Sequence, residues 1–106
     1  MHIKSRGFWK KHKQLKEDEI KFYVLKFLYN CKNYPEPFSP SAIAQEINRT
    51  DFEGQSRLAG LQVRNTLEEY VEIGIIEKTY KNGKESRPIY RVNLERVADI
   101  EKEISS

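Results

Sequence analysis

"VRNTLEEYVEIGIIEKTYKNGKESRPIYRVN", residues 63–93, is the stretch on which the fold turns. Its first half has helical spacing: Val63, Leu67, Tyr70 and Val71 fall on one side of an α-helix running from about Ala59 to Ile73. Gly74 stands where such a helix ends in a left-handed residue. Two short strands follow, and between them Asn82-Gly83 signals a hairpin, because both residues tolerate the positive φ of a tight type I′ turn. The tip carries Lys81, Lys84 and Arg87, with Pro88 just behind them. A helix thus leads directly into a positively charged hairpin. Tyr80 and Tyr90 are expected to pack at the hairpin base and against the helix.

Working back towards the N-terminus, Ile20, Tyr23, Val24, Phe27, Leu28 and Cys31 share a face of a helix that begins near Glu17. Glu17, Asp18 and Glu19 fall in its first turn, where acids favour the helix dipole. "NYPEPFSP", residues 33–40, breaks the pattern, since each proline biases its predecessor away from helix. Ser39-Pro40 reads as an N-cap and a first helical position, opening a short helix over about 40–48 that buries Ile43, Ala44 and Ile47. Residues 48–57 are polar and interrupted. Thr50-Asp51-Phe52-Glu53 has capping-box spacing, which predicts a separate helical turn with Phe52 against the core. Beyond the hairpin, 94–104 reads as a last helix with Leu94, Val97 and Ile104 near one face.

The chain has 106 residues, enough for one domain with a modest core. Hydrophobic residues make up 38% and charged residues 33%, a balance that excludes a disordered chain. No apolar run approaches the roughly 20 residues that span a bilayer, and no signal-peptide stretch follows the basic N-terminus. The single cysteine, Cys31, suits a reducing, cytoplasmic setting. The net charge of +3 is unevenly spread: residues 1–16 hold six Lys/Arg and no acid, and the rest hold 13 against 16 acids. Residues 78–91 are again basic, with five cations and one acid. Two cationic regions fit a polyanion partner; they equally fit solubility and protection of strand edges.

The residues "IAQEI", "VRNTLEEYVEIGIIEK" and "SRPIYRVN" carry a resemblance to winged helix-turn-helix DNA-binding domains, as in PadR- and MarR-like transcriptional regulators. The resemblance implies an α+β fold, mainly α with a β-hairpin: a three-helix core, a two-stranded wing and a C-terminal helix. It divides the chain into a basic arm (1–16), the winged-helix domain (17–93) and the C-terminal helix (94–106). It also implies double-stranded DNA as partner, with the third helix in the major groove and the wing on the neighbouring backbone. The 48–58 segment departs from the short turn usual in that family.

On the outward face of the third helix, Leu61, Gln62, Arg64 and Asn65 are the candidate base readers. Gln and Asn can pair with adenine, Arg can fork onto guanine, and an apolar tip can touch a thymine methyl. Glu68 and Glu72 continue this face and are expected in solvent, held clear of phosphate. Lys81, Asn82, Lys84 and Arg87 are the wing contacts with the backbone, and Lys4, Arg6, Lys10, Lys11 and Lys13 those of the arm. Phe8-Trp9 either stack on a base, enter a membrane interface, or pin the arm to the domain or a second subunit.

Phe22, Leu25 and Tyr29 form a second apolar side of the first helix. Leu94, Val97 and Ile104 are its expected cover, either within one chain or across a homodimer. His2, His12 and Cys31 make no zinc constellation, no Gly-rich phosphate loop follows a strand, and the acid pairs lie on open faces. No enzymatic activity, metal, cofactor, membrane or small-molecule ligand is expected. The sequence points to a cytoplasmic, nucleoid-associated regulator or repressor. The alternatives are a winged-helix protein-interaction module and an accessory DNA-binding factor in replication or in plasmid or viral maintenance.

Overall fold

The computed structural model describes residues 15–105. Among these are four α-helices and one two-stranded antiparallel hairpin, an α+β arrangement. In chain order they are α1 (Glu17–Asn30), α2 (Pro40–Asp51), α3 (Gly60–Glu72), β1 (Ile76–Tyr80), β2 (Pro88–Val92) and α4 (Val97–Ser105).

The three longer helices form the core because each carries an apolar stripe too narrow to be buried alone. α1 contributes Ile20, Val24, Leu25 and Leu28; α2 contributes Ile43, Ala44 and Ile47; α3 contributes Val63, Leu67 and Tyr70. Ile75, Ile76, Tyr90 and Val92 extend this core into the hairpin, and Ile100 of α4 closes it. Salt bridges hold the rim: Lys21 to Glu69 at 3.5 Å joins α1 to α3, and Lys26 to Asp51 at 3.6 Å joins α1 to α2.

Local chemistry sets the helix ends. Ser39 Oγ accepts from the Ala42 amide at 3.1 Å, and Pro40 opens α2 without leaving a backbone donor orphaned. At the end of α3 the Gly74 amide donates to the Val71 carbonyl and the Ile75 amide to the Tyr70 carbonyl, both at 3.0 Å. These are the paired bonds of a Schellman motif, and Gly74 has the φ of +83° that it requires. The motif aims the chain from α3 into β1.

The connection between α2 and α3 differs from expectation. Thr50 makes no cap: its hydroxyl donates to the Glu46 carbonyl one turn back, so α2 runs on to Asp51 with no separate turn after it. Phe52 does turn into the core, with its ring 5.0 Å from that of Tyr23. Asn48 then organises the loop. Its Oδ1 accepts from the Arg57 and Leu58 amides at 3.2 and 2.9 Å, and its Nδ2 donates to the Leu58 carbonyl at 2.9 Å. A long connection is thereby tied down by one side chain on α2.

The hairpin also departs from the tight form. Asn82 and Gly83 have φ of 55° and 73°, and the Lys84 amide donates to the Lys81 carbonyl, so the type I′ turn is present. A second turn follows, closed by the Arg87 amide on the Lys84 carbonyl, and the tip spans 81–87. The strands pair Lys78 with Tyr90 and Tyr80 with Pro88, whereas a two-residue loop would pair Lys78 with Arg87. Pro88 accounts for the shift: lacking an N–H, it fits at the first position of a strand and not in its middle.

The cover of α1 comes from within the chain. A 3₁₀ turn, Leu94–Arg96, precedes α4, and this turn leaves Leu94 52% exposed, against expectation. Ile100 takes the buried position instead, with Val97 and Ile104 partly buried beside it. On α1, Leu25 is buried and the Tyr29 hydroxyl donates to Glu101 of α4 at 2.6 Å, but Phe22 stays 40% exposed. Sequence spacing misassigned Leu94 because it extended helical periodicity through a tighter 3₁₀ turn.

Gly74→Ala is expected to destabilise the fold by about 1–2 kcal/mol, the cost of a left-handed residue with a Cβ. That Cβ would also stand 3.1 Å from Arg96 Nη1. Urea unfolding measures the change.

Candidate nucleic-acid interface

The first turns of α2 and α3 and the hairpin tip enclose an open cleft of about 620 Å³. Arg64, Lys81 and Arg87 line it together with Ser41, Gly60 and Ser86. Two predicted wing residues and one predicted reader therefore meet at one place. Leu61 also borders the cleft and is 68% exposed; Asn65 is exposed beyond its rim. Asn82 and Lys84 lie exposed on the tip.

The helices can come this close because residue 60 is glycine. A Cβ there would stand 3.2 Å from Ser41 Oγ, tighter than an ordinary contact. Sequence reading assigned no role to Gly60, Ser41 or Ser86. The only available signal was the placement of Gly60 and Ser41 in helix first turns, which becomes informative only once the two turns are adjacent.

Gln62 behaves differently from its expected role. Its Oε1 accepts from the Ala59 amide at 2.9 Å, so the side chain folds back to cap α3 and is half-buried. It lies away from Arg64 and the hairpin tip, bordering a separate cleft with Asn48 and Leu58. The arm residues Lys4, Arg6, Lys10, Lys11 and Lys13, with Phe8 and Trp9, lie outside the described residues.

Glu68 is the second correction. It does not face open solvent. Its carboxylate accepts from the Tyr90 hydroxyl at 2.5 Å and from Lys78 Nζ at 3.0 Å. Lys78 and Tyr90 are direct cross-strand partners and so project to the same side of the hairpin, the side facing α3. Tyr90 is wholly buried, as anticipated; Tyr80, expected to pack, is 40% exposed. The hydrogen bond from Tyr90, with Lys78 reinforcing it and partial burial opposing, holds the Glu68 carboxyl below its ordinary 4.5. Burial first, then the Glu68 carboxylate, pushes the Tyr90 hydroxyl well above its ordinary range. Arg64, one turn before Glu68, adds to the lowering of Glu68 and opposes the rise of Tyr90.

Among the described residues no group of three or more His, Cys, Asp or Glu is placed to hold a metal ion, and no helix is long and apolar enough to cross a membrane. Burial holds the Cys31 thiol above its ordinary range. What the cleft offers chemically is positive charge and hydroxyl donors on a concave surface. Compared with protein-family models, curated proteins and solved structures, the chain matches none.

Because the Glu68 pKa is depressed on folding, its contribution is complete above about pH 4.5 and is lost as pH falls through the lowered value. Glu68→Gln is therefore expected to cost on the order of 1 kcal/mol at pH 7, with the deficit shrinking towards pH 2. Thermal unfolding across that range, wild type against variant, reads the difference.

Proposed function

We propose that this protein binds double-stranded DNA as a winged helix-turn-helix regulator. The first half of α3 enters the major groove and the hairpin acts as the wing. The observation that carries this reading is the shared cleft: the exposed start of α3 and the cationic hairpin tip lie side by side on one surface. Had the tip pointed away from α3, one duplex could not meet both.

Charge along α3 supports the same docking. The acids of its second half would repel phosphate if bare. Glu68 is bonded to Lys78, and Glu69 is paired with Lys21. The face presented by the first two turns carries Leu61, Arg64 and Asn65. Asn65 has the paired donor and acceptor that match adenine, and Leu61 offers an apolar tip for a thymine methyl. Lys81, Lys84 and Arg87 neutralise phosphates and release condensed counterions. A two-fold site read by a homodimer in the bacterial or archaeal manner is compatible with this geometry, with repression as the role.

The triple variant Lys81→Gln, Lys84→Gln, Arg87→Gln is expected to weaken binding on every duplex alike. It should also lower the slope of log affinity against log salt by up to about 2.7, at about 0.9 per phosphate contact. Asn65→Ala should instead change sequence preference, by about 1–3 kcal/mol at one base pair. Both are read by fluorescence titration over a panel of duplexes at several salt concentrations. No affinity for random duplex at low salt would replace the DNA reading with that of a protein-interaction module.

A further inference from the structure

Arg64 was paired with Asn65 as a reader of bases, but its surroundings suggest a different task. It precedes Glu68 by four positions on α3, and residues so spaced share a helix face. Glu68 faces the hairpin through its bonds to Lys78 and Tyr90, so Arg64 is directed to the hairpin side too. There it lines the cleft with Lys81 and Arg87. Asn65, one position on, lies outside the cleft.

Three cations converge on this cleft, and among the described residues no carboxylate lines it. Like charges gathered on a concave surface repel one another unless an anion sits among them. The rest of the lining suits a tetrahedral oxyanion. Ser41 and Ser86 offer hydroxyls. The amides of Gly60 and Leu61 lie in the first turn of α3, where a helix supplies no carbonyl partner. A volume of about 620 Å³ leaves room for the sugars on either side of a phosphate.

We propose that this cleft is a phosphate-binding subsite, seating one backbone phosphate of the duplex, and that Arg64 is a phosphate ligand and not a reader of base edges. The source of that phosphate rests on the DNA reading above; a free phosphate group shares the chemistry. The subsite joins α3 to the hairpin tip through a single anion and so sets the register of the protein along the backbone. Base reading is left to Asn65 and Leu61.

Two measurements on the full 106-residue chain test this. In the first, backbone amide spectra are followed while inorganic phosphate, and separately a random duplex, is added. Saturable movement of the Ser41, Gly60 and Leu61 amides is expected with both. Arg64→Gln with Arg87→Gln should abolish it with phosphate while leaving distant amide positions unchanged. In the second, Arg64→Gln should lower affinity by the same factor on all duplexes and reduce the salt slope by about 1. Arg64→Lys should restore most of both, since an ammonium serves a phosphate but cannot fork onto guanine.

A changed order of preference among duplexes in Arg64→Gln, without rescue by lysine, would overturn the assignment of Arg64. Duplex binding with the three amides unmoved would sink the subsite and leave the DNA reading standing. Phosphate binding that depends on Arg64, with no affinity for any duplex, would support the subsite and sink the DNA reading.

Discussion

Tyr90 is the point on which the rest of the structure depends. Its side chain is wholly buried in the core, and its hydroxyl ends on the Glu68 carboxylate of α3. Its backbone exchanges hydrogen bonds with Phe38, in the segment before α2, at 2.7 and 2.9 Å. Across the hairpin it faces Lys78, which bonds the same carboxylate. One residue of β2 therefore ties together α3, the α1–α2 connection and β1. A buried phenol must find a partner for its O–H, and Glu68 is the partner within reach. That requirement fixes how the hairpin lies against α3.

The surface follows from this constraint. With the hairpin held by Tyr90, its tip is carried to the first turns of α2 and α3, and Lys81 and Arg87 come to share a cleft with Arg64. The same bonds remove Glu68 from the solvent-facing side and leave its charge compensated by Lys78. Packing and electrostatics are coupled here: the contact that seats the wing also neutralises the acid nearest to it. The Schellman turn at Gly74 supports the arrangement from the other end, since it sets the direction in which the chain leaves α3. Asn93 adds to it by donating to the Gly74 carbonyl at 2.9 Å.

The connection between α2 and α3 shows how an apparent insertion is absorbed. The lengthened α2, the buried Phe52 ring and the triple use of the Asn48 amide turn a polar stretch into ordered structure. Arg57 stacks over Phe52, with its guanidinium 4.9 Å from the ring centre. The longer path does not separate α3 from α2, whose first turns approach closely at Gly60 and Ser41.

Helix existence, the Ser39 cap, the Gly74 terminator and the left-handed pair Asn82-Gly83 were legible in the sequence, because each depends on residues near one another in the chain. Periodicity reports a helix face, and a cap or a positive φ reports one residue's own conformational freedom. The register of the hairpin, the capture of Glu68, the return of Gln62 to its own helix end, and the exchange of Leu94 for Ile100 were not legible in this way. Each is decided by a partner many residues distant or by a choice between two local bonds of similar energy. A helical wheel shows that Glu68 and Arg64 share a side, but not which neighbour that side meets. The sequence alone therefore determined the elements and their charges; only tertiary packing, through a buried hydroxyl that needed an acceptor, decided which of those charges stand together.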